Sequence, residues 1–298
     1  SAEMLRKTRT FGKVRCHNPS CMERLEPSPG ADHIKCATCG ILSCMPELNA
    51  FDFSELYAKF HQPITRLDCG KKCAPYNQHG VPFCCDTRHA IPSAYHLEWD
   101  YLKEQTDMWH LWQSPQKREN DRLQAQTPAS QVLVECTGHL HCQRQYRTLT
   151  CRSFPFFPYV TKGGDFIGLS YYLEDEVHSR VISHLDLVPP TYLNEFIDAY
   201  KMLFQAYPGE KEAFRYHSSM MRRVFSRRKR AIPLLHRNGG TYKITPANGR
   251  MRRISSSLFP KFGPYQVAAS LIFRDEIEDG YYQPEGNINP ASNPGKLR

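Results

Sequence analysis

Two groups of thiols, far apart along the chain, constrain this sequence more than any other feature. The first runs Cys69-Gly70-Lys71-Lys72-Cys73 and, ten residues later, the doublet Cys84-Cys85. The second holds Cys136, Cys142 and Cys151. Together they contain seven of the chain's 12 cysteines, and cysteines that serve only as small core residues do not bunch in this way. Neighbouring cysteines rarely bridge each other, yet both can present thiolates to one metal centre. Thiolates select zinc or iron–sulfur clusters over hard cations. The grouping predicts that Cys69, Cys73, Cys84, Cys85, Cys136, Cys142 and Cys151 collect around a soft metal, either zinc or an iron–sulfur cluster. His139 and His141 flank Cys142 and could supply nitrogen ligands, although each reads first as an exposed or supporting imidazole.

The N-terminal segment carries a second, independent signature. Cys16 and Cys21 form one pair, and Cys36-Ala37-Thr38-Cys39-Gly40 forms another, closed by the glycine that a tight knuckle favours. Val14 and Ile34 lead into the two pairs as short strands, with Glu26-Pro27-Ser28-Pro29-Gly30 turning between them. This spacing predicts a zinc ribbon with a structural zinc on Cys16, Cys21, Cys36 and Cys39. A segment this short has too little core of its own, and metal binding would supply the missing stability, on the order of 10 kcal/mol.

The whole chain of 298 residues is 40% hydrophobic and 23% charged, which allows a packed core. The reading is α+β. A small N-terminal zinc ribbon (1–48) precedes an irregular cysteine-rich metal-binding domain (49–165). A mainly helical region with a basic β-hairpin (166–279) follows, then an extended tail rich in Gly, Pro and Asn (280–298). No apolar run is long enough to span a bilayer, and the basic N-terminus lacks the apolar core of a secretory signal. Unbridged cysteines without an export signal imply a reducing, cytoplasmic setting.

Periodicity places the elements. Helices are expected over 51–62, capped by Asp52 or Ser54, and over 94–113 with Ser93 as N-cap. Residues 114–130 are polar and read as a surface loop. Gln131 to Glu135 is a strand that delivers Cys136. Phe154 to Tyr159 cannot be a regular helix because Pro155 and Pro158 interrupt it. Phe166 to Tyr172 is a strand; Gly163, Gly164 and Gly168 nearby are too weak a pattern for a phosphate loop. Helices follow over 173–185, from Thr191 with an apolar stripe of Tyr192, Phe196, Ile197, Tyr200, Leu203, Phe204 and Tyr207, and over 210–230. Glu174, Asp175 and Glu176 suit a helix start. Strands are expected over 241–245 and 250–255, around the turn at Pro246 to Gly249, and over 267–273.

The formal net charge is +9, and the excess concentrates late in the chain. No acidic residue occurs between Glu212 and Asp275. Arg222, Arg223, Arg227, Arg228, Lys229, Arg230, Arg250, Arg252 and Arg253 fall in that span. Arginine outnumbers lysine there, which suits two-pronged contact with phosphate or carboxylate. These nine residues are the candidate surface for an anionic partner, either nucleic acid or an acidic protein.

One stretch resembles a known family. The cluster ending in Cys84-Cys85, the pair Glu98-Trp99, the later cysteines and Tyr146-Arg147-Thr148-Leu149-Thr150-Cys151-Arg152-Ser153-Phe154-Pro155-Phe156 are similar to the YkgJ-type domain. That domain is described as zinc- or iron-chelating. The likeness covers roughly Asp68 to Tyr159. It differs in the first cluster, where Cys-x3-Cys-x10-Cys-Cys stands in place of a tighter repeat, and in Thr148, where the family usually has proline. The resemblance implies metal binding and fixes no reaction.

Three functional readings follow. The favoured one is a metal-binding accessory protein that presents a basic surface to an anionic partner. Another is a structural subunit of a larger assembly. The third is an iron- or iron–sulfur-dependent enzyme, with protein methylation as in a branch of the same family. Against an enzyme, the sequence shows no dinucleotide fingerprint and no paired carboxylates at helical spacing.

Overall fold

A computed structural model describes residues 51–65 and 68–266, together with the backbone of four short strands nearer the N-terminus. Those strands, β1 (Val14–Arg15), β2 (Arg24–Leu25), β3 (His33–Lys35) and β4 (Leu42–Cys44), pair as two antiparallel hairpins, β1 with β2 and β3 with β4. The ribbon ligands expected at Cys16, Cys21, Cys36 and Cys39 lie outside the described residues, as do the strand expected over 267–273 and the tail.

The remaining architecture is α+β, with eight α-helices and two larger antiparallel sheets. α1 (Phe53–Lys59) starts at Asp52, whose carboxylate accepts from Ser54 N at 2.7 Å, and it buries Phe53, Leu56 and Tyr57. α2 (Cys69–Cys73) is capped by Asp68. β5 (Ser93–Tyr95), β7 (Gln131–Cys136) and β6 (Trp109–Leu111) form a sheet in the order β5-β7-β6. α3 (His96–Gln105) leads from β5 towards β6, and α4 (Lys117–Gln126) lies between β6 and β7.

After α5 (Leu149–Ser153), the chain enters a five-stranded sheet. Its strands are β8 (Phe156–Val160), β9 (Phe166–Tyr171), β10 (Ile232–His236), β11 (Thr241–Ile244) and β12 (Met251–Arg253). They stand in the order β12-β11-β10-β9-β8. Between β9 and β10 come α6 (Arg180–Ser183), α7 (Pro190–Ala206) and α8 (Pro208–Arg227). The expected stripe on α7 is the buried face: Tyr192, Phe196, Ile197, Tyr200, Leu203 and Phe204 are all under 9% exposed. Full burial of such side chains contributes about 1.5–3 kcal/mol each before entropy is counted. One continuous apolar core runs from Phe53 to Phe259 and joins α1, α3, α7, α8 and the five-stranded sheet. Gly168 fits that sheet because a Cβ there would collide with the Leu235 carbonyl of β10.

Several expected boundaries are corrected. The helix expected over 94–113 is β5, the shorter α3 and β6, because Trp109–Leu111 pairs with Cys136–Val134 instead of continuing a helix. Its N-cap is Tyr95 rather than Ser93, and Glu98 accepts the Tyr95 N–H in a capping arrangement. The loop expected over 114–130 contains α4, an almost wholly polar helix that buries Leu123 alone. Residues 173–185 form a short 3-10 turn and α6 instead of one helix. Phe156–Val160 and Ile232–His236 are strands that periodicity did not reveal.

Candidate metal centre

Five separate pieces of chain carry the seven described thiols. Cys69 and Cys73 are the two ends of α2, where Asp68 Oδ1 accepts the Lys71 N–H at 3.3 Å. Cys84 and Cys85 share a single 3-10 turn, Phe83–Cys85. The loop that returns the doublet to α2 is tied by a buried carboxylate. Asp86 accepts from Asn77 Nδ2 at 3.0 Å and from Arg88 Nε at 2.8 Å, and these donors hold its pKa below the ordinary value against burial. Cys136 ends β7, Cys142 follows the turn His139–His141, and Cys151 lies in α5.

All seven are free thiols. The Sγ atoms of Cys84 and Cys85 stand 3.8 Å apart. Two thiolates on one tetrahedral zinc, with ~2.3 Å Zn–S bonds, are separated by ~3.8 Å. Charge at Cys84 is felt at Cys69, Cys73 and Cys151, charge at Cys136 is felt at Cys151, and Cys136 feels Cys142. Burial is the largest cause that pushes the Cys69, Cys73 and Cys151 thiols to about 12. The hydrogen bond to Cys85, followed by burial, raises Cys84 well above its ordinary value. Such groups are protonated at neutral pH, and a metal that binds them must displace those protons. Among the described residues, no group of three or more His, Cys, Asp and Glu side chains stands in metal-holding geometry. Thiol sulfurs are soft donors, and the Cys84–Cys85 separation equals that between two thiolates on one tetrahedral zinc.

Two arginines accompany the thiols, and neither was singled out as a site residue from the sequence. Arg147 Nε donates to Cys142 Sγ at 3.1 Å, and its charge favours the thiolate at Cys84 and Cys151. Burial works against the Arg147 charge, but Cys142, Cys151 and Cys84 more than restore it, leaving its pKa above the ordinary arginine value. Arg180 of α6 is 3% exposed, and its charge favours ionisation of Cys69. The available signal was that Arg147 stands four residues before Cys151 and five after Cys142 in the sequence.

The frame of the centre is polar and buried. Glu98 is wholly buried and accepts from Tyr57 Oη at 2.6 Å, Leu149 N at 2.5 Å and Tyr95 N at 3.1 Å. It thereby fixes the start of α5, two residues before Cys151. Burial raises its pKa, and the three donors and Arg152 oppose that rise. Arg152 donates to the carbonyls of Phe60, Arg147 and Gln145 and lies 4.2 Å over the Tyr57 ring. Trp109 is buried, and its Nε1 donates to Tyr146 O at 2.7 Å. Tyr265 packs on Cys73 and Phe83 from the far end of the described chain. His139 is half-buried and His141 is exposed.

The basic residues divide. Arg223, Arg227, Arg228, Lys229, Arg250, Arg252 and Arg253 are exposed, on α8 and around β12. Arg222 and Arg230 are not on that open face. Arg222 is 5% exposed, with Nη1 donating to Tyr159 Oη at 3.2 Å. Arg230 Nη2 donates to Glu176 Oε1 at 2.7 Å, and its guanidinium lies 4.9 Å over the Phe262 ring. Glu176 thus pairs with an arginine 54 residues away instead of opening a helix. No helix among the described residues is long and apolar enough to cross a membrane. No family model matches the chain, and no curated protein or solved structure matches it significantly.

Proposed function

We propose that this is a metal-binding accessory protein with two thiolate centres and a basic face for an anionic macromolecule. In the larger centre, Cys84 and Cys85 are the nucleus, and Cys69, Cys73, Cys136, Cys142 and Cys151 are the pool from which further ligands come. The metal is zinc or an iron–sulfur cluster, and bound there it would cross-link the segments that supply its ligands. Cys16, Cys21, Cys36 and Cys39 hold a separate structural zinc. The observation that carries this reading is the 3.8 Å separation of Cys84 Sγ and Cys85 Sγ among five other free thiols. The likeness of Asp68 to Tyr159 to YkgJ-type domains supports the same reading.

The test is elemental analysis and a visible spectrum of protein purified without oxygen. Metal beyond the ribbon's own is expected, and it should be lost from Cys84→Ser/Cys85→Ser. Absorption in the visible range identifies iron–sulfur; a colourless protein rich in zinc identifies zinc. Protein that carries only the ribbon's metal, unchanged by the double substitution, overturns the reading.

A further inference from the structure

The thiol cluster leaves one cleft unused. It lies where the C-terminal half of α8 meets the turns joining β8 to β9 and β11 to β12. Lys162, Ser219, Arg222, Arg223, Ser226 and Arg227 line it, and Pro246 completes the lining around ≈ 380 Å³. Four of these side chains are cationic and none is a carboxylate. Among the described residues, no ion pair engages those four, whereas Arg215 and Arg230 have Glu212 and Glu176.

Arg222 carries the argument. It is 5% exposed. Its Nη1 donates to Tyr159 Oη at 3.2 Å and, more weakly, to Val160 O at 3.5 Å. Its guanidinium lies 5.8 Å over the Tyr159 ring, and its Nε has no acceptor. A desolvated guanidinium that meets only neutral oxygens lacks a counter-charge, and burying an ion unpaired is unfavourable. The packing that fixes it also sets the donor fork before any ligand arrives, so little side-chain freedom is lost on binding. The helix dipole accounts for Arg227 in the last turn of α8. It does not account for Arg222, which is buried, or for Lys162, which belongs to another element.

We infer that this cleft binds the phosphate group of a nucleotide unit, with Arg222 as the fixed fork and Lys162, Arg223 and Arg227 around the remaining oxygens. The Ser219 and Ser226 hydroxyls add neutral donors. The volume falls within the roughly 300–1,000 Å³ of small-molecule sites, which leaves room for more than the phosphate. Tyr216, 48% exposed, shares the helix face of Arg223 and Arg227. It stands about 10 Å from Arg223 along the axis, where it offers a base a stacking surface. The inference rests on the reading of the basic face as an anion-binding surface and is independent of the metal.

The test titrates the full chain with inorganic phosphate, a nucleoside 5′-monophosphate and a short single-stranded oligonucleotide, each across a salt series. The proteins are the wild type, Arg223→Gln/Arg227→Gln in the cleft, and Arg250→Gln/Arg252→Gln/Arg253→Gln on the hairpin. All substituted side chains are exposed, so the fold is retained. The monophosphate should bind more tightly than inorganic phosphate. The cleft variant should lose at least about 10-fold in affinity for it, with the hairpin variant unchanged. An oligonucleotide that binds far more tightly than the monophosphate, and is weakened by the cleft variant, assigns the site to a strand; parity assigns it to a free nucleotide. If the cleft variant binds every probe as the wild type does, the inference falls. Should the hairpin variant alone then lose the oligonucleotide, the broader anion-binding reading survives without the cleft. A wild type that binds none of the probes overturns both.

Discussion

Arg147 Nε donates to the Sγ of Cys142 at 3.1 Å, and the same guanidinium favours the thiolate at Cys84 and Cys151. Its charge also favours the thiolate at Cys69, so one cation serves four thiols drawn from four pieces of chain. A centre that gathers several thiolates around a divalent ion carries net negative charge, and a half-buried guanidinium offsets it. Outer partners of this kind typically alter metal affinity by about 10–100-fold. Arg147→Gln should weaken zinc binding by that factor, measured by competition with a chromogenic chelator. Arg147→Lys should recover part of it, because the charge stays while the planar fork is lost. Unaltered affinity in both variants, at unaltered thermal stability, would show that Arg147 only packs.

Glu98 offers a test of how the frame holds the thiols. Its carboxylate accepts the N–H of Leu149, so removing it frees the first turn of the helix that carries Cys151. Glu98→Gln keeps one acceptor oxygen but sets an amide N–H₂ against a donor, either Tyr95 N–H or the Tyr57–Leu149 pair. An unsatisfied buried group costs about 1–3 kcal/mol, which for a chain of this size is roughly 2–10 °C in Tm. Glu98→Ala should cost more, since three donors lose their partner. In the metal-free protein, Cys151 should then react faster with a thiol reagent than it does in the wild type. Equal Cys151 reactivity at a lower Tm would separate the stability role from any hold on the thiol.

What the sequence disclosed and what it concealed have physical reasons. The α7 stripe was legible because one face of a regular helix is buried and the other is wet. The Cys84–Cys85 pair was legible because the two residues are neighbours in sequence and share one turn. β8 was hidden by Pro158, which has no N–H to give; it is tolerated because β8 is an edge strand. β10 was hidden by Pro233, yet β10 pairs with β9 only from Leu235 onward, so that proline removes no rung on that side. The charge of Arg230 looked uncompensated because Glu176 answers it from across the fold. Arg147 and Arg180 escaped notice for the same reason. A counter-charge set by tertiary contact leaves no mark in spacing along the chain.

Glu210 gives the fold a measurable dependence on pH. It lies in the first turn of α8, is 9% exposed, and accepts from Tyr95 Oη at 2.9 Å. Burial raises its carboxyl from 4.5 to about 7, with the Tyr95 hydrogen bond opposing. The folded state therefore holds this proton more tightly than the unfolded chain. Its contribution is fully present below the unfolded value and is lost as pH rises through the folded one. From pH 4.5 to 7, stability from this group should fall by up to about 3 kcal/mol and then level off. Glu210→Gln keeps an acceptor for Tyr95 but has nothing to titrate. Urea unfolding at pH 5 and pH 8 should show the wild type losing stability between the two, and the variant losing less by about that amount. The variant should be the more stable protein at pH 8. Parallel profiles for the two proteins would mean that Glu210 ionises in the fold as it does in the open chain, with water reaching it where the structure shows a tyrosine.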